Sequence, residues 1–218
     1  MRPGRARLTT GYRHHGSQAP PARLPRLALV DDLNADAYRA VLRRFATGVA
    51  IVTTWDGERP WGTTVNSFTS VSLRPPLVLV AFDRSRRITS GLRATGRYAV
   101  NILGEDQQVL SDCFAGGPAP APVHLAAPGR GELCGAAWLT GPTGMPLLKA
   151  AIASLECTVV DVHPAGDHVL YIARVDTARA VGDAAGQVEQ PMPLLYYSGR
   201  YLRIEGASSH ELEGKPED

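Results

Sequence analysis

The residues best suited to hold a ligand are neutral hydroxyls and one amide in a single short stretch. They are Thr63, Thr64, Asn66, Ser67, Thr69, Ser70 and Ser72. Such groups donate and accept hydrogen bonds without a charge, as the polar edge of a planar ring such as a flavin requires, while apolar neighbours cover the ring faces. The same composition is typical of an exposed β-strand, because threonine favours strands. The stretch therefore indicates either a neutral ligand pocket or a solvated strand.

A basic turn follows the apolar run LVLVAFD and precedes a predicted helix. Its polar residues are Arg84, Ser85, Arg86, Arg87 and Thr89. Backbone amides at the start of a helix, together with a hydroxyl and a guanidinium, can bind a phosphate group. A solvated basic turn is the alternative interpretation.

His168, beside Asp167, follows a tight turn and opens a predicted strand. Its imidazole can contact a nicotinamide or supply a proton near a flavin, although a turn histidine can also be merely exposed. The other five histidines lack the spacing of metal ligands, so we predict no metal site. The sequence contains no GxGxxG, GxxxxGK[ST], GxSxG or HExxH, so a nucleotide would not be held at a Rossmann or P-loop glycine turn.

Three short helices are predicted around these residues. The first has Asn34 or Asp36 near its cap and ends at Gly48. Its apolar face, at helical spacing, comprises Tyr38, Val41, Leu42 and Phe45. The second is capped by Ser85, with Ile88 and Leu92 on one side. The inward residues of the third are Val109, Leu110, Cys113 and Phe114.

The remaining periodic segments predict strands. Runs at 49–55 and 61–73 flank Asp56-Gly57, and runs at 154–163 and 168–181 flank a second turn, so both pairs are predicted hairpins. Further strands are predicted at 77–83 and 97–103. Many short strands with brief helices favour a mainly β, antiparallel barrel over a Rossmann sheet. Residues 115–132 are rich in Gly, Pro and Ala and predict a mobile loop.

Composition limits the class of protein. The 218 residues carry a net charge of +2, which is too even for nucleic acid or an anionic membrane as the main partner. The basic, Pro-rich first residues lack an unbroken apolar stretch and no window has about 18 apolar residues, so we expect neither a signal peptide nor a transmembrane helix. We predict a disordered basic extension at 1–30 and a disordered tail at 206–218. Cys113, Cys134 and Cys157 are scattered, so all three are predicted to be reduced, in a cytoplasmic protein.

Seven segments, taken together, resemble the short-chain flavin reductase family, the reductase components of two-component flavin-dependent monooxygenases. They are FATGVAIVTT (45–54), GTTVNSFTSVSLRPPLVLVAF (62–82), YAVNIL (98–103), LSDCFAGG (110–117), GMPLLKAAIASLEC (144–157), AGDHVLYIARV (165–175) and PLLYYSGRY (193–201). They occur in the family's order and cover roughly residues 34–204. Three features depart from the family pattern: the stretch 118–132, which lacks the usual Lys-Phe-type segment, the unusually basic DRSRRIT, and the N-terminal extension, which has no counterpart in the compact members.

The resemblance implies an FMN-binding split β-barrel with Greek-key antiparallel topology over residues 31–205, assembled as a homodimer. It implies reduction of FAD or FMN by NADH or NADPH, with free reduced flavin diffusing to a partner monooxygenase. A non-catalytic flavin- or haem-binding module remains an alternative. An oxidase of pyridoxine phosphate is another, although it would need arginine and lysine phosphate ligands spread along the strands.

The resemblance also implies roles for individual residues. Those expected along the flavin ring and ribityl chain are Thr64, Val65, Asn66, Ser67, Ser70 and Val71. Those expected near the flavin phosphate are Asp83, Ser85 and Thr89, with a nearby arginine. Those expected to meet the nicotinamide or close over the ring are His168, Tyr196, Tyr197, Gly199, Arg200 and Tyr201. His168 is the one residue predicted to be catalytic.

Overall fold

Short β-branched runs build most of the fold. The computed structural model describes residues 34–117, 132–182 and 191–204. The helices are α1 (Ala35–Leu42), α2 (Ile88–Thr95) and α3 (Gln108–Phe114). The strands are β1 (Thr47–Gly48), β2 (Ala50–Asp56), β3 (Arg59–Val65), β4 (Thr69–Leu73), β5 (Pro76–Asp83), β6 (Arg97–Ile102), β7 (Glu132–Leu133), β8 (Ala136–Thr140), β9 (Pro146–Leu148), β10 (Ala153–Ala165), β11 (His168–Ala180), β12 (Leu195–Tyr197) and β13 (Arg200–Leu202).

Seven strands form one antiparallel sheet in the order β3-β2-β6-β10-β11-β5-β4. The described residues also form two three-stranded sheets, β1-β12-β13 and β7-β8-β9. The mainly β, antiparallel fold and both predicted hairpins are confirmed. The predicted strand 61–73 is instead two strands, because the chain leaves one sheet edge at Val65 and reaches the opposite edge at Thr69.

The core is built from alternate residues of these strands. In β5 the side chains of Val78, Val80 and Phe82 are buried, whereas their neighbours are partly exposed. They pack in one cluster with Leu92 of α2 and Tyr171 of β11. A fully buried side chain of this size stabilises the fold by about 1.5–3 kcal/mol. The strands that carry the candidate site are therefore anchored by packing.

Helix α1 differs in part from its prediction. The Asn34 side chain caps it as predicted, accepting hydrogen bonds from the amides of Asp36 and Ala37. The helix ends at Leu42 rather than at Gly48, because Gly48 pairs with Leu195 in a β-sheet. Its predicted apolar face is not buried in this chain. The exposed residues are Tyr38, Val41, Leu42 and, just beyond the helix, Phe45.

Helices α2 and α3 also differ in detail from their predictions. The N-cap of α2 is Arg87, and Ser85 instead bonds to the Asp83 carboxylate. In α3, Cys113 and Phe114 are buried as predicted, but Val109 is exposed. None of the helices that the structure describes is long and apolar enough to cross a membrane. The predictions for residues 1–30 and 206–218, and most of the predicted loop 115–132, lie outside the described residues.

The prediction that all three cysteines are reduced is wrong for two of them. Cys113 of α3 and Cys134 of the β7–β8 turn form a disulfide, with their Cα atoms 6.0 Å apart. The pair is separated by 21 positions in the sequence, and sequence spacing does not reveal which distant cysteines the fold brings together. Cys157 is free and fully buried, as predicted.

Candidate functional site

The crossover from β3 to β4, residues 66–68, lies at the centre of the candidate site. The Ser67 hydroxyl donates to the carbonyl of Ala81 at 2.8 Å and accepts from its amide at 3.3 Å, which fixes the crossover against β5. Beside it, Asn66 lines three adjoining cavities of about 590, 170 and 320 Å³. The amide predicted to bind a ligand is thus in open space.

The last of these cavities, which we call the tyrosine cavity, unites two groups of predicted residues. Its lining consists of Val49, Thr64, Val65, Asn66, Arg86, Ala115, Tyr196 and Tyr201. Three predicted flavin contacts therefore face two tyrosines from the far end of the described chain. Neutral polar groups, apolar side chains and one guanidinium meet here, an environment that suits a planar ring with a polar edge.

Helix α3 links both walls of the tyrosine cavity through Ser111. The Thr64 hydroxyl donates to the Ser111 carbonyl at 2.6 Å, and the Ser111 and Tyr201 hydroxyls lie 2.9 Å apart. Burial raises the pKa of Tyr201, so its phenol stays protonated at neutral pH. Tyr196 packs edge-on against Tyr201 with ring centroids 5.4 Å apart. The LSDCFAGG segment signalled this region, but its spacing did not single out Ser111.

The predicted phosphate turn is largely occupied by its own hydrogen bonds. The Asp83 carboxylate accepts from the Ser85 amide at 2.8 Å and from the Ser85 hydroxyl at 2.6 Å. These bonds hold the pKa of Asp83 below its usual range. Thr89 is buried, and its hydroxyl donates to the Arg86 carbonyl. The guanidiniums of Arg84 and Arg86 are therefore better placed to receive a phosphate than these hydroxyls.

His168 lies beside Asp83 rather than in the tyrosine cavity. It pairs with Asp83 across β11 and β5, and its carbonyl accepts from the Arg84 side chain at 3.5 Å. Its Nδ1 lies 2.6 Å from the Asp167 carboxylate, and this hydrogen bond lowers the pKa of Asp167. His168 is half-exposed and does not line the tyrosine cavity. Tyr196 and Tyr201, predicted to meet the same nucleotide, do line that cavity.

The remaining predicted residues surround the crossover. Ser70 and Val71 lie at a β-bulge of the edge strand β4 and are exposed. Tyr197 lines the smallest of the three cavities, together with Leu42 and Phe45. Gly199 lies in the turn between β12 and β13 and Arg200 opens β13, and both are exposed. Gly199 has a φ of 81°, which glycine adopts without strain.

A fourth cavity of about 280 Å³, which we call the disulfide cavity, adjoins the tyrosine cavity through Arg86 and Ala115. Cys113 and Cys134 line it. The Arg87 guanidinium lies 4.3 Å from the centre of the Trp61 ring, and the same guanidinium is bonded to the Asp56 carboxylate at 2.6 Å. A cation stacked on an indole at this distance stabilises both side chains.

The site thus combines a neutral crossover pocket, two tyrosines and adjacent guanidiniums on an antiparallel β fold, and it suits a planar heteroaromatic ring that bears phosphate. The amino-acid sequence identifies the family. Residues 42–205 match the family model of the flavin reductase like domain, and the chain belongs to that family.

Similar proteins include an NADH-dependent flavin reductase of Rhodococcus sp., 39% identical over 77% of this chain and 85% of the relative. The reductase subunit HsaB of a flavin-dependent monooxygenase, from Rhodococcus jostii, is 33% identical over 77% of this chain and 81% of the relative. Among solved structures, the NADH:FAD oxidoreductase SgcE6 of Streptomyces globisporus, in complex with NAD and FAD fragments, superposes with a TM-score of 0.68. It is 31% identical, covering 83% of this chain and 98% of the other.

Proposed function

We propose that this protein is a flavin reductase that uses NADH or NADPH to reduce FAD or FMN and supplies the reduced flavin to a partner monooxygenase. One hydride passes from nicotinamide C4 to flavin N5 and one proton comes from solvent, giving the oxidised nucleotide and reduced flavin. The observation that carries the proposal is the junction of the 64–66 segment with Tyr196 and Tyr201 in one cavity. The Rhodococcus relative and HsaB support the activity and the partner class.

The lining of the tyrosine cavity fits a flavin. Val49 and Val65 supply apolar surface for the ring faces, and the Asn66 amide supplies a donor and an acceptor for its polar edge. Because the Thr64 hydroxyl is already bonded to Ser111, its role is to shape the wall. The protein contributes mainly proximity and alignment, which can lower a barrier by several kcal/mol.

We assign the nicotinamide nucleotide to the space between the tyrosines and the His168 turn. NADH is the first choice of donor, because the Rhodococcus relative and SgcE6 are named for NADH. In this proposal Tyr196 and Tyr201 close over the stacked rings. His168 and the guanidiniums of Arg84 and Arg86 contact the polar part of a nucleotide, where positive charge favours phosphate.

We further propose that the protein works as a cytoplasmic homodimer. Phe45 is 75% exposed and Leu42 is 51% exposed, and both line the cavities beside Asn66. A second copy of the chain would bury this apolar surface and close the flavin site. Light scattering or sedimentation should give twice the monomer mass, and Phe45→Asp should shift the protein to monomer with weaker flavin binding.

The decisive experiment is an anaerobic assay with FAD or FMN and with NADH or NADPH, in all four pairings, followed at the flavin absorbance band. Bleaching with many turnovers per protein supports the reductase, and the pairing with the highest kcat/KM identifies its substrates. Stable flavin binding without bleaching in any pairing would refute the proposal and favour the non-catalytic module.

A further inference from the structure

The disulfide between Cys113 and Cys134 stands directly beside the candidate flavin site. We propose that these two cysteines form a reversible thiol–disulfide site, with small dithiols and disulfides as its reaction partners, whose oxidised form binds flavin more tightly. The inference about flavin rests on the proposed function, whereas the chemistry of the cysteine pair does not.

The bridge is accessible to a small reagent. Both cysteines line the disulfide cavity, and Cys134 is the more exposed of the two. Arg86 and Arg87 line the same cavity, and exchange proceeds by attack of a thiolate on a disulfide sulfur. Cys157 contrasts with them, because it is fully buried and burial raises the pKa of its thiol to about 12.

Helix α3 connects the bridge to the tyrosine cavity. Cys113 lies two positions after Ser111, which bonds to Thr64 through its carbonyl and to Tyr201 through its hydroxyl. The bridge ties the C-terminal end of this helix to the β7–β8 turn. Phe114 follows Cys113 and lines the disulfide cavity, and the next residue, Ala115, lines both cavities. Release of the bridge therefore loosens a wall that the two cavities share at Ala115.

The reaction balances as ordinary exchange. A thiolate of an added dithiol attacks one sulfur of the bridge, forming a mixed disulfide and releasing one protein thiolate. The second thiol of the reagent then displaces the other cysteine. The bridge gains two electrons and two protons to give two protein thiols, and the reagent becomes a cyclic disulfide. Glutathione disulfide reverses the process, yielding two molecules of glutathione.

The first test counts thiols in the full-length protein. After exposure to glutathione disulfide and removal of the reagent, denatured protein should show one thiol, and after dithiothreitol treatment of the native protein it should show three. Three thiols in both samples would overturn the proposal, as would a bridge that native protein keeps under millimolar dithiothreitol. Reduction should also lower the Tm by roughly 5–10 °C, because the bridge restrains the unfolded chain.

The second test measures flavin affinity without any nicotinamide nucleotide, by quenching of flavin fluorescence. Reduced protein should bind flavin at least threefold more weakly than oxidised protein, and reoxidation should restore the affinity. The double variant Cys113→Ser/Cys134→Ser should stay at the reduced value under both treatments, whereas Cys157→Ala should respond as the unaltered protein does. Equal flavin affinity in both redox states would overturn the proposed coupling between the bridge and flavin binding. If flavin is bound but not reduced by NADH or NADPH, the proposed function fails while this test remains valid.

Discussion

The Ser111 hydroxyl and the Tyr201 phenol oxygen lie 2.9 Å apart at the wall of the tyrosine cavity. Ser111 is fully buried, so this contact joins the interior of α3 to a residue that lines open space. A second hydrogen bond, from the Thr64 hydroxyl to the Ser111 carbonyl, fixes the opposite wall of the cavity. The separation between the two walls therefore depends on one buried serine.

Replacing Tyr201 with Phe should raise the KM for the nicotinamide nucleotide by up to roughly tenfold, because a neutral hydrogen bond contributes about 0.5–1.5 kcal/mol. Steady-state kinetics with each substrate varied in turn would measure this change in KM. Ser111→Ala should have a similar effect, and the double variant should be no worse than the more affected single variant. Fully additive losses would show that the two hydroxyls act separately. Tyr38→Phe, on the exposed face of α1, is the matched control.

His168→Ala should raise the KM for NADH or NADPH roughly three- to tenfold, and the KM for flavin less. The reason is that the proposed function assigns His168 and the adjacent Arg84 to the nicotinamide nucleotide, whereas the flavin ring is assigned to the tyrosine cavity, which His168 does not line. The same hairpin supplies a matched control in His163, which lies 2.8 Å from the Asp161 carboxylate. His163→Ala should leave both constants unchanged. Unaltered nucleotide kinetics in His168→Ala would remove this residue from the site.

Sequence patterns predict the parts of this molecule that local residues determine. Alternating β-branched residues placed both hairpins correctly, and the Asn34 side chain caps α1 as expected. The same patterns do not reveal that residues 61–73 are split between opposite edges of the sheet, because Asn66 to Phe68 include no Gly or Pro that would mark a break. The sequence pattern misplaces the C-terminal end of α1, because pairing of β1 with β12, a strand remote in sequence, decides where Gly48 lies.

Sequence patterns also predict some parts of the candidate site and not others. The cluster at 64–66 was identified from its chemistry, but Ser111 was not, because its role depends on two partners that lie 47 and 90 positions away. The disulfide was missed for the same reason. The predicted phosphate ligands Ser85 and Thr89 carry suitable groups, yet local hydrogen bonds already engage their hydroxyls, which composition cannot show.

Gly62→Ala should perturb the contact between β3 and α3. A β-carbon at this position would lie 2.7 Å from a ring atom of Phe114 and 3.1 Å from the Thr53 methyl group. Overpacking of this kind costs about 1–3 kcal/mol in the free energy of unfolding, measured with urea. It should also weaken flavin binding by displacing α3. Adding Phe114→Leu, which removes the ring, should recover part of the flavin affinity, and no recovery would mean that the clash lies elsewhere.

Glu156 provides a prediction that is independent of the site. Its carboxylate is 1% exposed and accepts hydrogen bonds from the Thr143 amide and hydroxyl, the Met145 amide and the Thr177 hydroxyl. Burial alone would raise the pKa of Glu156, but these four bonds together outweigh it and lower the pKa below its usual 4.5. The unfolded chain therefore binds this proton more readily than the folded protein does.

It follows that stability from Glu156 is fully present above about pH 4.5 and is lost as the pH falls through the lower folded pKa. Glu156→Gln should reduce the free energy of unfolding near pH 7 by about 2 kcal/mol, because hydrogen bonds to a charged group are lost. Below pH 4.5 the difference from the unaltered protein should shrink, which urea titrations at several pH values would measure. Glu58→Gln removes one negative charge at an exposed position and serves as the control. A difference that stays constant across this range would mean that the Glu156 charge does not contribute to stability.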